Sequence, residues 1–500
     1  MTDPSPPALS PAVPDRRRRL LILGICSISL LIVGLDSTIV NVALPSISRS
    51  FHTSLSGLQW TIDAYTLVLA SLLMLSGSTA DRIGRRRVFQ LGLLLFSLGS
   101  LLCALAPSLN LLIAARVLQA IGGSMLNPVA MSIIRNVFED PRELAQAIGV
   151  WGGTIGISLA LGPIVGGALV DSVGWPAVFL INLPIGLAAI VLTALYVPES
   201  RAARPRGLDP IGQVLVIVGL ATLTYAIIEG PGDGWLSAST LIEFGVALLA
   251  FAVLTVYELR RHEPLIELRF FSSAPFAGAS LIAVCAFAAL GGFLFLNTLY
   301  LQDVRGLSAL HAGLYLIPMA GVTLVVAPIS GRLVGRGGSR LPLVAGSLAL
   351  MASAGILTQL TVSTSTGVLL LSYFLFGLGF GLVNPPITHT AVSGMPPSQA
   401  GVAAAVASTS RQVGQTLGVA VLGALAGAVA LHGRLGAGFT TSTHASWWII
   451  TALGLLVLVL ALITTTGWAR ATALATARRL TETSLPNPAH VPEPAALARG

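Results

Sequence analysis

The chain has 500 residues, of which 54% are hydrophobic and only 10% are charged. Soluble domains carry about 25% charged residues, so this composition excludes an ordinary soluble enzyme or binding protein and indicates a polytopic membrane protein. The net charge is +8, yet the basic residues, all of them arginine, fall in short segments between apolar runs. A nucleic-acid-binding protein would cluster them on a soluble face, so we expect no nucleic-acid partner.

Fourteen apolar stretches are long enough to form membrane-spanning helices, each of which needs about 20 residues. They lie near 20–44, 58–79, 88–106, 110–134, 145–170, 175–197, 209–229, 238–258, 275–302, 311–333, 342–360, 367–392, 400–430 and 447–467. The first is too long for a secretory signal and contains Asp36, so we treat it as a span. Residues 1–19 and 468–500 are rich in proline and alanine without apolar periodicity, and we predict disordered tails there.

The arginines are distributed unevenly between the two predicted membrane faces. Of the 28 arginines, 23 lie in the tails and the loops of one side, and only Arg49, Arg305 and Arg434 lie on the other. Loops rich in arginine stay in the cytoplasm, which predicts that both termini are cytoplasmic. The absence of lysine suits a GC-rich bacterial genome, so we expect a multi-pass protein of the bacterial inner membrane.

Two parts of the chain resemble each other. When "GSTADRIGRRR" is laid on "GRLVGRGGSR", Gly77 falls on Gly331, and Asn127 falls on Asn384 at a similar offset. We therefore predict two parallel six-span halves, residues 20–198 and 275–467, with a pair of spans inserted in residues 199–274. Parallel repeats around a site at the membrane midplane are one architecture of secondary transporters. The duplication predicts alternating access, which a channel or a membrane enzyme does not need.

Three charged residues are predicted inside spans of the first half. At a rise of 1.5 Å per residue, Asp36 lies about 13 Å, Asp63 about 8 Å and Arg116 about 9 Å below the arginine-poor face. Such charges cost about 2.5–3.5 kcal/mol each and mark functional sites. Because burial favours the neutral acid and a nearby arginine favours the carboxylate, movement between them would bind or release a proton. We assign proton coupling to these three residues; the alternatives are a static ion pair and, for Asp63, a solvated surface position.

The loop after the second span, "GSTADRIGRRR", combines glycines with an acidic and several basic residues. We expect Gly77 and Gly84 to form a tight turn. An aspartate at a helix end can pair with an arginine or a helix N-terminus of a neighbouring segment, which would hold this side of the protein shut. We therefore predict a conformational latch that includes Asp81, Arg82 and Arg85. The alternative is that the arginines merely anchor the loop on the cytoplasmic side.

The fifth span contains "GPIVGG", that is, Gly162, Pro163, Gly166 and Gly167. Proline kinks a helix, and small residues let helices approach closely. We predict a kinked helix at these residues; the alternative is generic helix packing.

One arginine is predicted deep in the second half. Arg411 lies about 18 Å from the arginine-rich face, beside Gln412 and Gln415, and no acidic residue lies deep in the last six spans. It could meet an anionic or hydrogen-bonding group of a transported molecule, or a helix C-terminus. With Asn41 and Gln119 in the first half, these residues form the candidate cargo site.

These motifs together resemble the major facilitator superfamily, and in particular its fourteen-span branch of drug:proton antiporters. The likeness covers the chain apart from its tails and rests on "LDSTIVNVALP", "RVLQAIGG", "GPIVGG", "FLINLPIG" and "SRQVGQTLGVAV". It implies an all-α membrane fold of two parallel six-helix bundles with an inserted central helix pair, fourteen spans in all. It also implies that the arginine of the fourth span, Arg116, takes part in proton coupling, and that "GPIVGG" marks exporters.

We therefore predict a proton-coupled antiporter that exports lipophilic or amphipathic drugs, antibiotics or dyes. No nucleotide-binding loop, metal-ligand spacing or catalytic triad is present in the sequence, so we expect no cofactor, no metal and no enzymatic activity. The expected partners are small-molecule cargo, protons and the lipid bilayer, and the protein is expected to be a monomer. The alternatives are a dedicated exporter of one endogenous metabolite, and a sensor or scaffold that no longer transports.

Overall fold

The computed structural model describes residues 15–202, 207–261, 263–396, 399–430 and 437–484. In these ranges every regular element is helical. Serine or aspartate precedes many of the helices and accepts a hydrogen bond from a backbone N–H of the first turn, as Ser54, Ser108 and Asp140 do. This is how helix N-termini satisfy amides that have no partner within the helix.

The first half of the chain forms a bundle of seven helices. These are α1 (Arg16–Phe51), α2 (Leu55–Ile83), α3 (Arg85–Ala104), α4 (Leu109–Val137), α5 (Pro141–Ser172), α6 (Ala177–Leu180) and α7 (Asn182–Tyr196). Helices α6 and α7 together correspond to the predicted sixth span. In this bundle α1 packs along α5, and α4 packs along both α2 and α3.

The inserted pair consists of α8 (Pro210–Asp233) and α9 (Ala238–Arg260), which pack against each other. Helix α8 lies against α2 and is fastened to it near both ends. Trp60 Nε1 donates to Glu229 Oε1 at 2.7 Å, and Gln213 Nε2 donates to the carbonyl oxygen of Ser71 at 2.7 Å. Helix α8 also packs against α15 of the second half, so it lies along both α2 and α15, and these two side-chain hydrogen bonds attach it to α2.

The second half forms a second bundle. Its helices are α10 (Ala274–Leu299), α11 (Ala309–Tyr315), α12 (Ile317–Gly337), α13 (Arg340–Leu357), α14 (Thr366–Val392), α15 (Ala400–Ala430) and α16 (Ala437–Thr464). A 3₁₀ turn precedes α10, and a π-helical turn, Tyr300–Val304, follows it. Helix α15 packs along α10 within this bundle. It also packs along α2 of the first bundle, so α2 and α15 form a seam between the halves.

Thirteen helical segments in the described residues are long and apolar enough to cross a membrane. The sequence predicts fourteen spans; the fourteenth corresponds to α15, whose side chains are described only up to residue 427. Its middle carries the polar run "STSRQVGQT", and it is enclosed by α2, α10, α14 and α16. Protein neighbours rather than lipid therefore surround this helix, which explains how it tolerates these residues.

The N-terminal boundary of the bundle differs from the prediction. Helix α1 begins at Arg16, and the Asp15 side chain accepts a hydrogen bond from the Arg16 amide. Arg19 forms an ion pair with Glu143 of α5. Disorder predicted up to residue 19 is therefore wrong for residues 16–19, while residues 1–14 lie outside the described part of the chain.

The C-terminal boundary also differs, because residues predicted to be disordered form a helix, α17 (Gly467–Ser484). Ala469, Ala473 and Leu480 are buried at helical spacing, and the Thr472 hydroxyl accepts a hydrogen bond from the Ala274 amide of α10 at 3.0 Å. The apolar face consists mainly of alanine, so its periodicity is weak in the sequence. The remainder of the predicted tail, 485–500, is outside the described residues.

The buried apolar residues show how the halves meet. One core cluster fills the second half and continues into the arginine-poor part of the first half, through Leu44 and Leu112 for example. The arginine-rich part of the first half has a separate core, which contains Phe89 and Ile134. The two halves are thus packed together on the arginine-poor side.

Candidate functional site

The site is centred on the Asp36 carboxylate, deep in the first bundle. Asp36 Oδ2 accepts a hydrogen bond from Arg116 NH1 at 2.5 Å, and the two side chains are 0% and 1% exposed. They come from α1 and α4. The ion pair predicted from the depths of these residues therefore forms, and it is sealed from solvent in this conformation.

Two amide side chains complete the shell of the carboxylate. Gln119 Nε2 donates to Asp36 Oδ1 at 2.8 Å, and Asn182 Nδ2 donates to the same oxygen at 3.2 Å. Both amides also donate to the Ser100 hydroxyl, at 2.8 and 3.3 Å. The Gln119 carbonyl oxygen in turn accepts from Arg116 NH1 at 2.6 Å. A buried ion pair offsets its desolvation only if further hydrogen bonds satisfy its remaining atoms, as they do here.

The guanidinium of Arg116 is held by α2 as well. Its Nε donates to the Thr61 carbonyl oxygen at 3.2 Å, and its CZ atom lies 4.1 Å from the centroid of the Tyr65 ring. A ring face at this distance attracts a cation electrostatically. Side chains from α1, α3, α4 and α7 and a backbone carbonyl of α2 thus converge on one ion pair.

Sequence analysis missed Ser100, Asn182 and Tyr65. The signal for Asn182 was present, because it is the polar residue in the apolar motif "FLINLPIG". Ser100 carries no such signal: it is one of two serines, with Ser97, in an apolar helix, and only the close crossing of α3 and α4 brings it to the Asp36 network. A Cβ at Gly99 would lie 2.5 Å from the Gln119 backbone nitrogen.

The arrangement suits proton exchange because Asp36 acts only as an acceptor. A carboxylate accepts hydrogen bonds, whereas a protonated carboxyl group must also donate one. All three partners of Asp36 present N–H groups to it, so a protonated Asp36 would find no acceptor among them and would lose the negative charge that attracts Arg116. Protonation of Asp36 and its pairing with Arg116 therefore compete.

Asp63 does not join this network. It is fully buried on α2, where Thr66 Oγ1 donates to its Oδ1 at 3.3 Å, and within the described residues its Oδ2 has no hydrogen-bond partner. Thr416 Oγ1 of α15 donates to Thr66 Oγ1 at 2.8 Å. The structure thus places Asp63 at the seam between the halves rather than in the expected cluster with Asp36 and Arg116, and a solvated surface position is excluded.

The predicted cargo residues are not all together. Gln119 belongs to the Asp36 network, because α3 packs over it, and it is 0% exposed. The Asn41 amide donates to the Ser37 carbonyl oxygen within α1 at 3.1 Å. Gln415 is buried where α15 approaches α10, and Gln412 is half-buried on α15 beside Arg411.

The loop predicted to be a latch forms its contacts inside the first half. Asp81 Oδ1 accepts from Arg85 NH2 at 3.0 Å, while the Arg86 amide donates to Glu199 Oε1 at 3.1 Å. Gly84 makes the turn with φ +127°. Gly77, expected in the turn, is instead part of α2, and Arg82 lies in the last turn of that helix. The partner Glu199 follows α7 and could not be found from the motif alone.

The glycines of "GPIVGG" form two contact faces on α5, which runs unbroken through Pro163. A Cβ at Gly162 would collide with Thr38 Oγ1, and one at Gly166 would lie 2.6 Å from Ile39 Cγ1. These two glycines therefore let α5 approach α1 within a turn of Asp36. The glycines of this motif thus allow α5 to pack closely against α1, and α5 remains a continuous helix through Pro163.

The other face of α5 closes the arginine-poor side against α11 of the second half. A Cβ at Gly167 would lie 2.6 Å from the Ala309 carbonyl oxygen. The Asp171 carboxylate accepts hydrogen bonds from the amides of Ala309 and Leu310 at 3.1 and 2.9 Å. On the arginine-rich side, by contrast, a Cβ at Gly149, Gly152 or Gly153 of α5 would meet no atom within 4 Å.

Replacing Asp171 by asparagine is expected to weaken this closure. The variant loses the negative charge and one of two acceptor oxygens at the start of α11, and loss of such a cap costs about 1 kcal/mol, or roughly a fivefold change in the ratio of open to closed molecules. Electron–electron distance measurements between spin labels at Val173→Cys and Leu314→Cys should show a larger long-distance population. Asp233→Asn, on the same side at the end of α8, is the matched control; an equal effect of both variants would contradict the prediction.

Comparison with known proteins gives a consistent result. Residues 26–419 match the model of the Major Facilitator Superfamily. The chain is 38% identical over 410 residues to the Multidrug resistance protein Stp of Mycobacterium tuberculosis, which covers 82% of this chain and 76% of the relative. It is 40% identical over 425 residues to the Tetracenomycin C resistance and export protein of Streptomyces glaucescens, with 85% and 79% covered.

Solved structures resemble it as well. A bacterial homolog of the human lysosomal transporter Spinster, in an inward-facing and unoccupied conformation, has a TM-score of 0.61 at 18% identity and covers 94% of this chain and 99% of that one. At this identity the likeness shows the fold alone. It confirms the all-helical membrane transporter fold expected from the sequence.

Proposed function

Because the chain belongs to the Major Facilitator Superfamily, we propose that this multi-pass bacterial membrane protein exports amphipathic drugs in exchange for protons. Its relatives include proteins named for multidrug resistance and for resistance to single antibiotics. Drug efflux is the function that these relatives share. We assign the same class of cargo to this chain.

The observation that carries the proton-exchange part of the proposal is the sealed Asp36–Arg116 pair. In our mechanism a proton displaces Arg116 from Asp36, which frees α4 and α2 to shift relative to α1. Release of that proton restores the pair. Asp63, at the seam between the halves, is proposed as a second protonatable group that senses the contact between α2 and α15.

We propose that the arginine-rich side faces the cytoplasm, with both termini there. The packed arginine-poor side then corresponds to the outer face. In this orientation the structure is closed toward the outside, the state in which a drug exporter collects cargo from the cytoplasm or the inner leaflet. The Asp171–α11 contact must open before the cargo leaves.

We further propose that the two bundles, residues 20–198 and 275–467, rock against each other about the α2–α15 seam. The inserted pair would move with the first bundle, because Trp60 and Gln213 fasten α8 to α2. The Asp81–Arg85 loop would release its contacts within the first half and latch the cytoplasmic side in the opposite state. A monomer driven by the proton gradient alone, without cofactor, suffices for this cycle.

The test uses purified protein in proteoliposomes with an imposed pH gradient and a panel of dyes: ethidium, rhodamine 123 and fluorescein. Gradient-driven movement of two or more of them supports multidrug export. Movement of none, by protein whose reconstitution is verified, would refute it.

A second candidate function is export of one endogenous compound, and a specific observation favours it. Two relatives bear the names of single antibiotics, tetracenomycin C and methylenomycin A. Movement of only one member of a broad panel of cytotoxic compounds, by the same vesicles, would favour this candidate over multidrug export.

A further inference from the structure

A second buried arginine lies in the other half of the protein. Arg411, near the middle of α15, donates from NH2 to Thr388 Oγ1 of α14 at 2.5 Å. Its CZ atom lies 5.8 Å from the centroid of the Phe287 ring of α10. Phe287 in turn packs edge to face on Phe380 at 5.2 Å. The guanidinium is thus held among three helices of the second bundle beside a pair of aromatic rings.

This arginine has no acidic partner. Helices α10 to α16 contain no aspartate or glutamate, and none of the ion pairs among the described residues includes Arg411. Its Nε is buried without a hydrogen-bond acceptor. Arg116 of the first bundle, in contrast, donates to Asp36, Gln119 and the Thr61 carbonyl oxygen. A cation inside a membrane protein is costly unless it is paired, and Arg411 has no ionic partner among the described residues.

The surroundings of Arg411 are only partly enclosed, because Arg411, Thr388, Phe287 and the neighbouring Gln412 are all half-buried. Asp63 of α2 contacts α15 through Thr66 and Thr416, five residues along the helix from Arg411, and forms no ion pair with it among the described contacts. Arg411 donates to the Thr388 side chain about one turn before the end of α14, and no bond from Arg411 to a helix-terminal carbonyl is among the described contacts.

We infer that Arg411 is the anionic-group subsite for cargo, and that the protein takes planar aromatic compounds bearing a carboxylate or phenolate. A guanidinium presents N–H groups in a planar fork that matches two oxygens of such a group. The Phe287–Phe380 pair supplies an aromatic surface for the ring system. This inference rests on the proposed function, because it names the cargo class of that exporter.

The test compares two dyes of the same tricyclic xanthene skeleton and opposite charge: fluorescein, an anion, and rhodamine 123, a cation. Binding to purified protein is measured by fluorescence anisotropy for wild type, Arg411→Gln and Arg411→Lys. We expect Arg411→Gln to weaken fluorescein binding about tenfold or more, the loss of a hydrogen-bonded ion pair, with rhodamine 123 unchanged within about twofold. Arg411→Lys keeps the positive charge but lacks the planar guanidinium, so its affinity for fluorescein should lie between those of wild type and Arg411→Gln.

Equal weakening of both dyes by Arg411→Gln, or fluorescein that does not bind wild type, would overturn the inference. Retained rhodamine 123 binding shows that a variant is folded. Gradient-driven transport in proteoliposomes separates this result from the proposed function: selective loss of fluorescein binding in a protein that moves neither dye supports the subsite and refutes proton-driven export.

Discussion

Replacing Asp36 by asparagine is expected to reduce pH-gradient-driven dye export to the level of protein-free vesicles. Asparagine has nearly the same shape, so the helices around it keep their packing. It cannot take up a proton, and its NH₂ group cannot accept from Arg116, Gln119 or Asn182, all of which now donate to Asp36. The competition between proton and Arg116 is therefore removed.

The measurement follows dye in proteoliposomes twice, once with an imposed pH gradient and once as exchange of dye against dye without a gradient. Asp36→Asn should lose the gradient-driven movement of dye and keep the exchange of dye against dye. Glu258→Gln is the matched control, because it neutralises a buried acid of α9 that lies outside the Asp36 network. If Asp36→Asn still accumulated dye in response to the gradient, Asp36 would not be the coupling group.

Replacing Arg116 by methionine is expected to destabilise the protein by about 3–5 kcal/mol, because it leaves the Asp36 charge buried without its partner. The double variant Asp36→Asn/Arg116→Met should regain a large part of this loss, since residues in one network do not contribute additively. Arg411→Met provides the control: the same side chain is removed from another spanning helix where no carboxylate is left behind.

Unfolding by sodium dodecyl sulfate, followed by tryptophan fluorescence, gives the order of stability. We expect wild type above the double variant, and the double variant above Arg116→Met. A single variant as stable as the double one would mean that the buried carboxylate needs no counter-ion. Arg411→Met should lie close to wild type, and a loss as large as that of Arg116→Met would show that any arginine truncation in a spanning helix has this effect.

The sequence shows that an Arg116–carboxylate ion pair is possible, because the depth of a residue follows from its distance along the chain from the end of the span. Asp36 and Arg116 lie at similar depths on helices of the same half, and each is costly without a partner. Asp63 shares that depth, but depth gives no angular position: it lies on the face of α2 that meets α15, away from the face that carries Tyr65. Lateral position depends on which helices are neighbours, and a single sequence does not state this.

The same limit explains the other differences. Glu199, the partner of the loop after α2, follows α7, the fifth helix after that loop, and no local pattern connects the two. Helix α17 is hidden because alanine forms its buried stripe and gives little hydropathy contrast.

Helix α5 connects the surroundings of Asp36 to the contact between α5 and α11. Gly166 contacts Ile39 of α1, about one helical turn from Asp36. Gly167, the next residue, contacts Ala309 at the start of α11. Neighbouring residues of a helix project about 100° apart with a rise of only 1.5 Å, so one turn of α5 is wedged between the two. In the proposed cycle a shift of α1 at Asp36 would therefore be transmitted through α5 to the Asp171–α11 contact, which would guard against slippage, the passage of protons without cargo.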